Sequence, residues 1–148
     1  MLRRLVLACA LALSVVASAA AEDPAYLRAN ARLARTIPHY PRARLLVEEP
    51  VGGEVGPVPF EAVQRVYALA RPATQRAAIG FYRLKLGTKW RRRGATCLVS
   101  RSRAVVVLVV PKRRRLGVLV DSRGAARCNG LTGLLGDFLG AGYPNAEM

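Results

Sequence analysis

The chain has 148 residues, enough for one domain, and carries a formal charge of +15 from 24 cations against nine acids. Its hydrophobic share of 52% excludes a disordered basic tail and requires a packed domain. Arginine dominates the cations, which fits a GC-rich genome writing arginine wherever a cation is needed; the net charge itself is the signal, and it would draw polyanions by long-range attraction.

The N-terminal stretch reads as a secretory signal peptide over residues 1–21. Arg3 and Arg4 precede an apolar run, Leu5–Ala17, and the small-residue patterns Ala17-Ser18-Ala19 and Ala19-Ala20-Ala21 lead into Glu22-Asp23-Pro24. The apolar run is short for an uncleaved anchor, and cleavage at Cys9 would leave almost no apolar region before it. The expected location is therefore periplasmic or extracellular, with cleavage near Ala19–Ala21. Cleavage would remove Arg3 and Arg4 but no acid, leaving a charge of about +13. No later segment is long and apolar enough to span a bilayer.

Export fits the cysteines. Without Cys9, Cys97 and Cys128 form an even pair, expected as one disulfide closing a loop of 31 residues and worth roughly 3–4 kcal/mol by chain entropy. This spacing is neither a redox C-x-x-C motif nor a metal-ligand set, so no metal and no cofactor is expected. The absence of an N-x-S/T sequon is consistent with bacterial export.

Asp23 as N-cap and Pro24 at the first helical position predict an N-terminal helix within residues 22–37, with Leu27, Ala31 and Ala34 on its inner side beside Arg28, Arg32 and Arg35. Pro38 and Pro41 stop it. His39, the sole histidine, sits between them without a cluster of potential co-ligands and reads as structural. An α+β core domain is expected over residues 38–122. Arg42–Val47 reads as a strand, and Glu48–Gly56 as an acidic, glycine-rich loop closed by Gly56-Pro57. Adjacent Glu48 and Glu49 would point to opposite faces, which argues against a catalytic dyad.

Phe60–Ala70 fits a helix or a strand by spacing. Thr74 is an expected N-cap for a helix ending at the C-cap Gly87, with Ala77, Phe81 and Leu84 inward and Arg76 and Arg83 outward. Arg91-Arg92-Arg93 follows, then a strand from Thr96. Val105–Val110 shows no polar alternation, which predicts a central strand covered on both faces. Pro111 ends it, Lys112–Arg115 forms a tetrabasic hairpin tip, and Leu116–Asp121 returns with Leu116, Val118 and Val120 on one face. In the tail, residues 123–148, Leu131, Leu134, Leu135, Phe138 and Leu139 form an amphipathic pattern weakened by four glycines. A short helix tied down by Cys128 is expected there.

Tyr40-Pro41-Arg42-Ala43, followed by Phe81-Tyr82, Leu86 and Trp90, resembles a "YP-x-A … FY-x-x-x-L-x-x-x-W" frame in small exported bacterial proteins of unassigned function. The resemblance covers about residues 38–121, and Arg42 stands at its variable position, where glycine would be expected. It implies an α+β domain with a helix on an antiparallel sheet, strand rather than helix for Val63–Leu69, and packing roles for Tyr40, Phe81, Tyr82 and Trp90. The full expectation is an antiparallel sheet of about four to six strands in two layers, with one main helix and short terminal helices.

No nucleophile–base pair or phosphate loop stands out, and a non-enzymatic role is expected; an enzyme would require a pocket at His39 or Asp121. Candidate anion-binding residues are Arg91, Arg92, Arg93, Lys112, Arg113, Arg114 and Arg115, with Arg101 and Arg103 as a further basic group. The leading expectation is contact with an anionic envelope surface, lipid headgroups or glycans. The alternatives are an accessory module that meets an acidic protein partner through the Leu131–Leu139 face, and an extracytoplasmic nucleic-acid binder. Export and the lack of aromatics among the basic runs weigh against the last.

Overall fold

The computed structural model describes residues 23–111 and 114–141. The stretch expected as a signal peptide, with Cys9, and the residues Lys112 and Arg113 lie outside them. The fold is α+β, with one six-stranded antiparallel sheet and three helices. Helix α1 is Pro24–Thr36, followed by strands β1 (Ala43–Val55) and β2 (Val58–Leu69) and helix α2 (Gln75–Leu86). Strands β3 (Trp90–Arg93), β4 (Cys97–Ser100), β5 (Val105–Val109) and β6 (Arg115–Asp121) come next, and a short 3-10 turn leads into α3 (Cys128–Ala141). The spatial strand order is β1-β2-β6-β5-β4-β3. After the β1–β2 hairpin, α2 carries the chain to the opposite edge, and β3 to β6 meander back until β6 lies against β2.

The valine run is the centre of this sheet. Val105, Val106, Val107 and Leu108 are all fully buried. Val106 and Leu108 pack with Tyr67, Ile79, Tyr82, Leu116 and Val118 under α2 and the end of α1. Val105 and Val107 pack with Leu119, Leu131 and Leu135 under α3. Alternate residues of a strand point to opposite faces, so a strand buried on both sides needs apolar residues at every position. Each such side chain stabilises the fold by about 1.5–3 kcal/mol. The tail helix thus adds a third layer to the expected sheet and helix.

Several local expectations are corrected. The acidic stretch Glu48–Val55 is strand, because β1 stays paired with β2 up to the Gly56-Pro57 turn, where Gly56 has φ +59°. Phe60–Ala70, which fitted helix or strand by spacing, is strand up to Leu69 and belongs to β2. Helix α1 is capped by Asp23, whose carboxylate accepts from the Ala25 and Tyr26 amides at 3.0 and 3.3 Å. Its inner stripe is Tyr26, Asn30 and Ala34, with Leu27 and Ala31 left outside the core. Helix α2 begins at the Thr74 cap and ends at Gly87, but it buries Ala78, Ile79 and Tyr82. The Gln75 side chain sets that rotation. It donates to the Leu108 and Ala95 carbonyls at 2.7 and 3.1 Å and accepts from the Val110 amide at 2.9 Å. The larger Ile79 and Tyr82 thereby turn inward, and Ala77, Gly80 and Leu84 face out.

Helix α3 forms despite its glycines because the sheet packs its leucine face. Leu131, Leu135 and Leu139 are buried. Gly117 on β6 leaves room for them: a Cβ there would lie 2.6 Å from Leu139 and 3.0 Å from Leu135. Cys97 on β4 and Cys128 at the start of α3 form the expected disulfide, with Cα atoms 6.1 Å apart.

Candidate anion-binding site

The sheet ends at β3, a four-residue edge strand reading Trp-Arg-Arg-Arg. Its register against β4 places Arg91 opposite Val99 and Arg93 opposite Cys97, on the α3 side of the sheet. Trp90, opposite Ser100, and Arg92, opposite Leu98, lie on the α2 side. Arg91, Arg92 and Arg93 then line a cleft of ≈ 430 Å³ with Val99, Ser100 and Arg101. Ser100–Ala104 is the β4–β5 turn, held by the Ser100 amide on the Ala104 carbonyl at 2.9 Å, with Arg103 at φ +67°. That turn brings Arg101 to the mouth of the cleft. No carboxylate lines it.

The three arginines of the run are not equivalent. Arg93 donates to the Ala125 carbonyl at 2.7 Å and so ties β3 to the turn before α3. Arg92 donates to the Gly94 carbonyl at 2.7 Å, across its own turn. Arg91 is exposed and has neither kind of bond, which leaves it and the exposed Arg101 as the cations best placed to meet a ligand.

The described residues of the other expected basic run, Arg114 and Arg115, lie elsewhere. The β5–β6 turn is two strands inward from β3, at the sheet end opposite Arg101. Arg114 is exposed there, with its carbonyl accepting from the Leu69 amide at 2.9 Å; Arg115 opens β6 opposite Ala68 and is half-buried. Lys112 and Arg113 fall outside the described residues. Arg114 and Arg115 therefore do not share the cleft of Arg91 and Arg101. On the other side of the β3 edge, a second cleft of ≈ 790 Å³ runs from α2 to Trp90 and includes Arg83, Leu84, Thr88 and Arg91.

Two polar clusters escape sequence reasoning. Arg65 on β2 is 3% exposed. It donates to the Ala34 and Ile37 carbonyls at 2.7 and 2.8 Å, closing the C-terminal end of α1, and pairs with Glu48 on β1. This satisfies helix-end carbonyls with a cation, as the helix dipole favours. The only advance signal was a charge followed directly by the apolar run Val66-Tyr67-Ala68-Leu69. Asp121, fully buried at the end of β6, accepts from the Tyr26 hydroxyl at 2.5 Å, the Arg123 amide at 2.8 Å and Arg127 at 3.3 Å. Arg123 lies 4.4 Å above the Tyr26 ring and pairs with Asp23 at 3.2 Å. Burial pushes the Tyr26 hydroxyl well above the ordinary tyrosine value, and the Asp121 hydrogen bond adds to this. A cleft of ≈ 300 Å³ adjoins this cluster. Its carboxylate is already taken up by three donors, and the cluster fastens α1 to β6 and the turn before α3.

His39 is exposed and hydrogen-bonded through Nδ1 to the Tyr67 hydroxyl at 2.9 Å. Tyr40, Phe81 and Tyr82 meet in one aromatic cluster, with ring centroids 5.0–6.3 Å apart, and Trp90 packs on the same core. The Leu131–Leu139 face considered for a partner is taken up by the sheet, leaving Leu134 39% exposed. Among the described residues no group of His, Cys, Asp or Glu is arranged to hold a metal ion, and no helix is long and apolar enough to cross a membrane. No family model, no curated protein and no solved structure matches this chain.

Proposed function

We propose that this is an exported, non-enzymatic protein that contacts anionic cell-envelope material through arginines. The observation that carries the reading is the carboxylate-free cleft at the β3 edge, where Arg91 and Arg101 face solvent. An arginine fork matches phosphate and carboxylate geometry and stays charged at any physiological pH. A net charge of about +13 after the expected cleavage adds long-range attraction that brings such a surface toward any polyanion. The disulfide supports export, since such pairs persist in oxidising compartments.

Attraction by net charge alone and binding at the cleft differ in one measurable way. The double variant Arg91→Gln/Arg101→Gln and the control Arg28→Gln/Arg32→Gln, on the exposed side of α1, remove the same charge. Binding to vesicles containing phosphatidylglycerol, measured at low salt, should fall about tenfold for the first pair and much less for the second. Equal losses would leave only a diffuse field, and unchanged binding in the cleft variant would overturn the reading.

A further inference from the structure

We infer that the anionic partner is a phospholipid bilayer and that the outer face of α2, together with the β3 edge, is the surface that seats on it. This rests on the arginine-contact reading above and adds the class of partner. Leu84 is 80% exposed, while Leu45, Val58 and Leu134 are exposed by only 39–42%. A lone exposed leucine is ordinary on a protein surface. This one differs in its surroundings.

Leu84 stands between exposed Arg83 and Lys85, one turn beyond Gly80 and two beyond Ala77, so nothing bulky shields it on the outer stripe of α2. It shares the ≈ 790 Å³ cleft with Trp90, the only tryptophan of the chain, and with Arg83 and Arg91. Arg91 also lines the arginine cleft on the other side of the strand. Neither cleft is lined by an acid. The edge therefore presents an exposed leucine beside a half-buried tryptophan, flanked by the cations Arg83, Lys85 and Arg91.

A bilayer surface has the complementary order of groups. Its headgroup phosphates would meet Arg83, Arg91 and Arg101, and its acyl boundary would receive Leu84, with Trp90 at the headgroup level that tryptophan favours. A soluble anionic glycan would use the arginines and leave Leu84 in water. Charge and apolar surface together thus favour lipid.

Trp90 makes the test direct. The oxidised protein is titrated with phosphatidylglycerol vesicles whose acyl chains carry bromine, and separately with a soluble anionic polysaccharide. The expected result is quenching and a blue shift of Trp90 emission on the vesicles. The variant Leu84→Ser, at a site outside the core, should bind vesicles about tenfold more weakly and the polysaccharide unchanged. Vesicle binding without quenching and insensitive to Leu84 would overturn the seating while leaving arginine contact intact. Failure to bind either probe would remove the arginine reading and this inference with it.

Discussion

Replacing Arg65 by methionine removes one guanidinium and keeps most of the buried apolar stem. The group is 3% exposed and serves three acceptors at once, the Ala34 and Ile37 carbonyls and the Glu48 carboxylate. A charge-assisted hydrogen bond of this kind contributes about 1.5–3 kcal/mol, and an orphaned carbonyl cannot recover it from an apolar neighbour. The Glu48 share is smaller. That side chain is 45% exposed, so water screens the pair, and it counts as a surface ion pair of under about 1 kcal/mol. The total expected loss is about 3–5 kcal/mol, within the range for breaking a buried charged contact. Urea unfolding of the oxidised protein reads it as a fall in midpoint at constant slope. Glu48→Gln should cost no more than about 1 kcal/mol in the same assay. Amide exchange should show α1 losing protection first, since its C-terminal end is what Arg65 holds. A change below 1 kcal/mol for Arg65→Met would refute the reasoning, because the two helix-end carbonyls would then not depend on the guanidinium.

Other perturbations separate the remaining contributions. The double variant Cys97→Ser/Cys128→Ser should lose about 3–4 kcal/mol, the chain-entropy value for a loop of this size, and the same loss should follow reduction of the native protein; a loss under 1 kcal/mol would mean that α3 is held by packing alone. Arg42→Gly should be neutral or stabilising by up to about 1 kcal/mol, since Arg42 sits at φ +53°, where a side chain is strained and glycine is not, while glycine gives back part of the gain as unfolded-state entropy. A clear loss in thermal unfolding would show that the Arg42 side chain has a packing role. Burial raises Tyr26, Tyr67 and Tyr82 above the ordinary tyrosine value of about 10. Above that pH the unfolded chain loses these protons while the fold keeps them, so stability is complete below about pH 10 and falls as pH rises, by up to about 1.4 kcal/mol per unit for each tyrosine. A flat urea midpoint between pH 9 and 11 would contradict this.

The sheet was legible where burial dictates composition. The unbroken Val105–Val110 run could belong only to a strand covered on both faces, and Leu116–Asp121 divided its faces in the expected way. The caps at Asp23, Thr74 and Gly87 were legible because they rest on local hydrogen bonding and φ. Helix rotation was not. Ala77 and Leu84 fit a stripe as well as Ile79 and Tyr82 do, and the choice depends on Gln75 reaching residues 20 and more positions away. The extension of β1 through Glu48–Val55 was hidden for a similar reason, since acidic and glycine-rich residues look like a loop until β2 pairs with them. The arginine run was visible as charge. Its neighbourhood with Arg101 came from the β3–β4 register, and its separation from Arg114 and Arg115 came from strand order. The Arg65–Glu48 and Tyr26–Asp121 contacts at the heart of the two clusters join residues 17 and 95 positions apart and leave almost no trace in the sequence.

The most direct test of arginine-driven contact with an anionic surface is co-sedimentation of the oxidised protein with phosphatidylglycerol and with neutral phosphatidylcholine vesicles across a salt series. Binding to the anionic vesicles alone is expected at low salt, falling steeply as salt screens the arginines. Equal binding to both vesicle types, or none to the anionic ones at low salt, would contradict it.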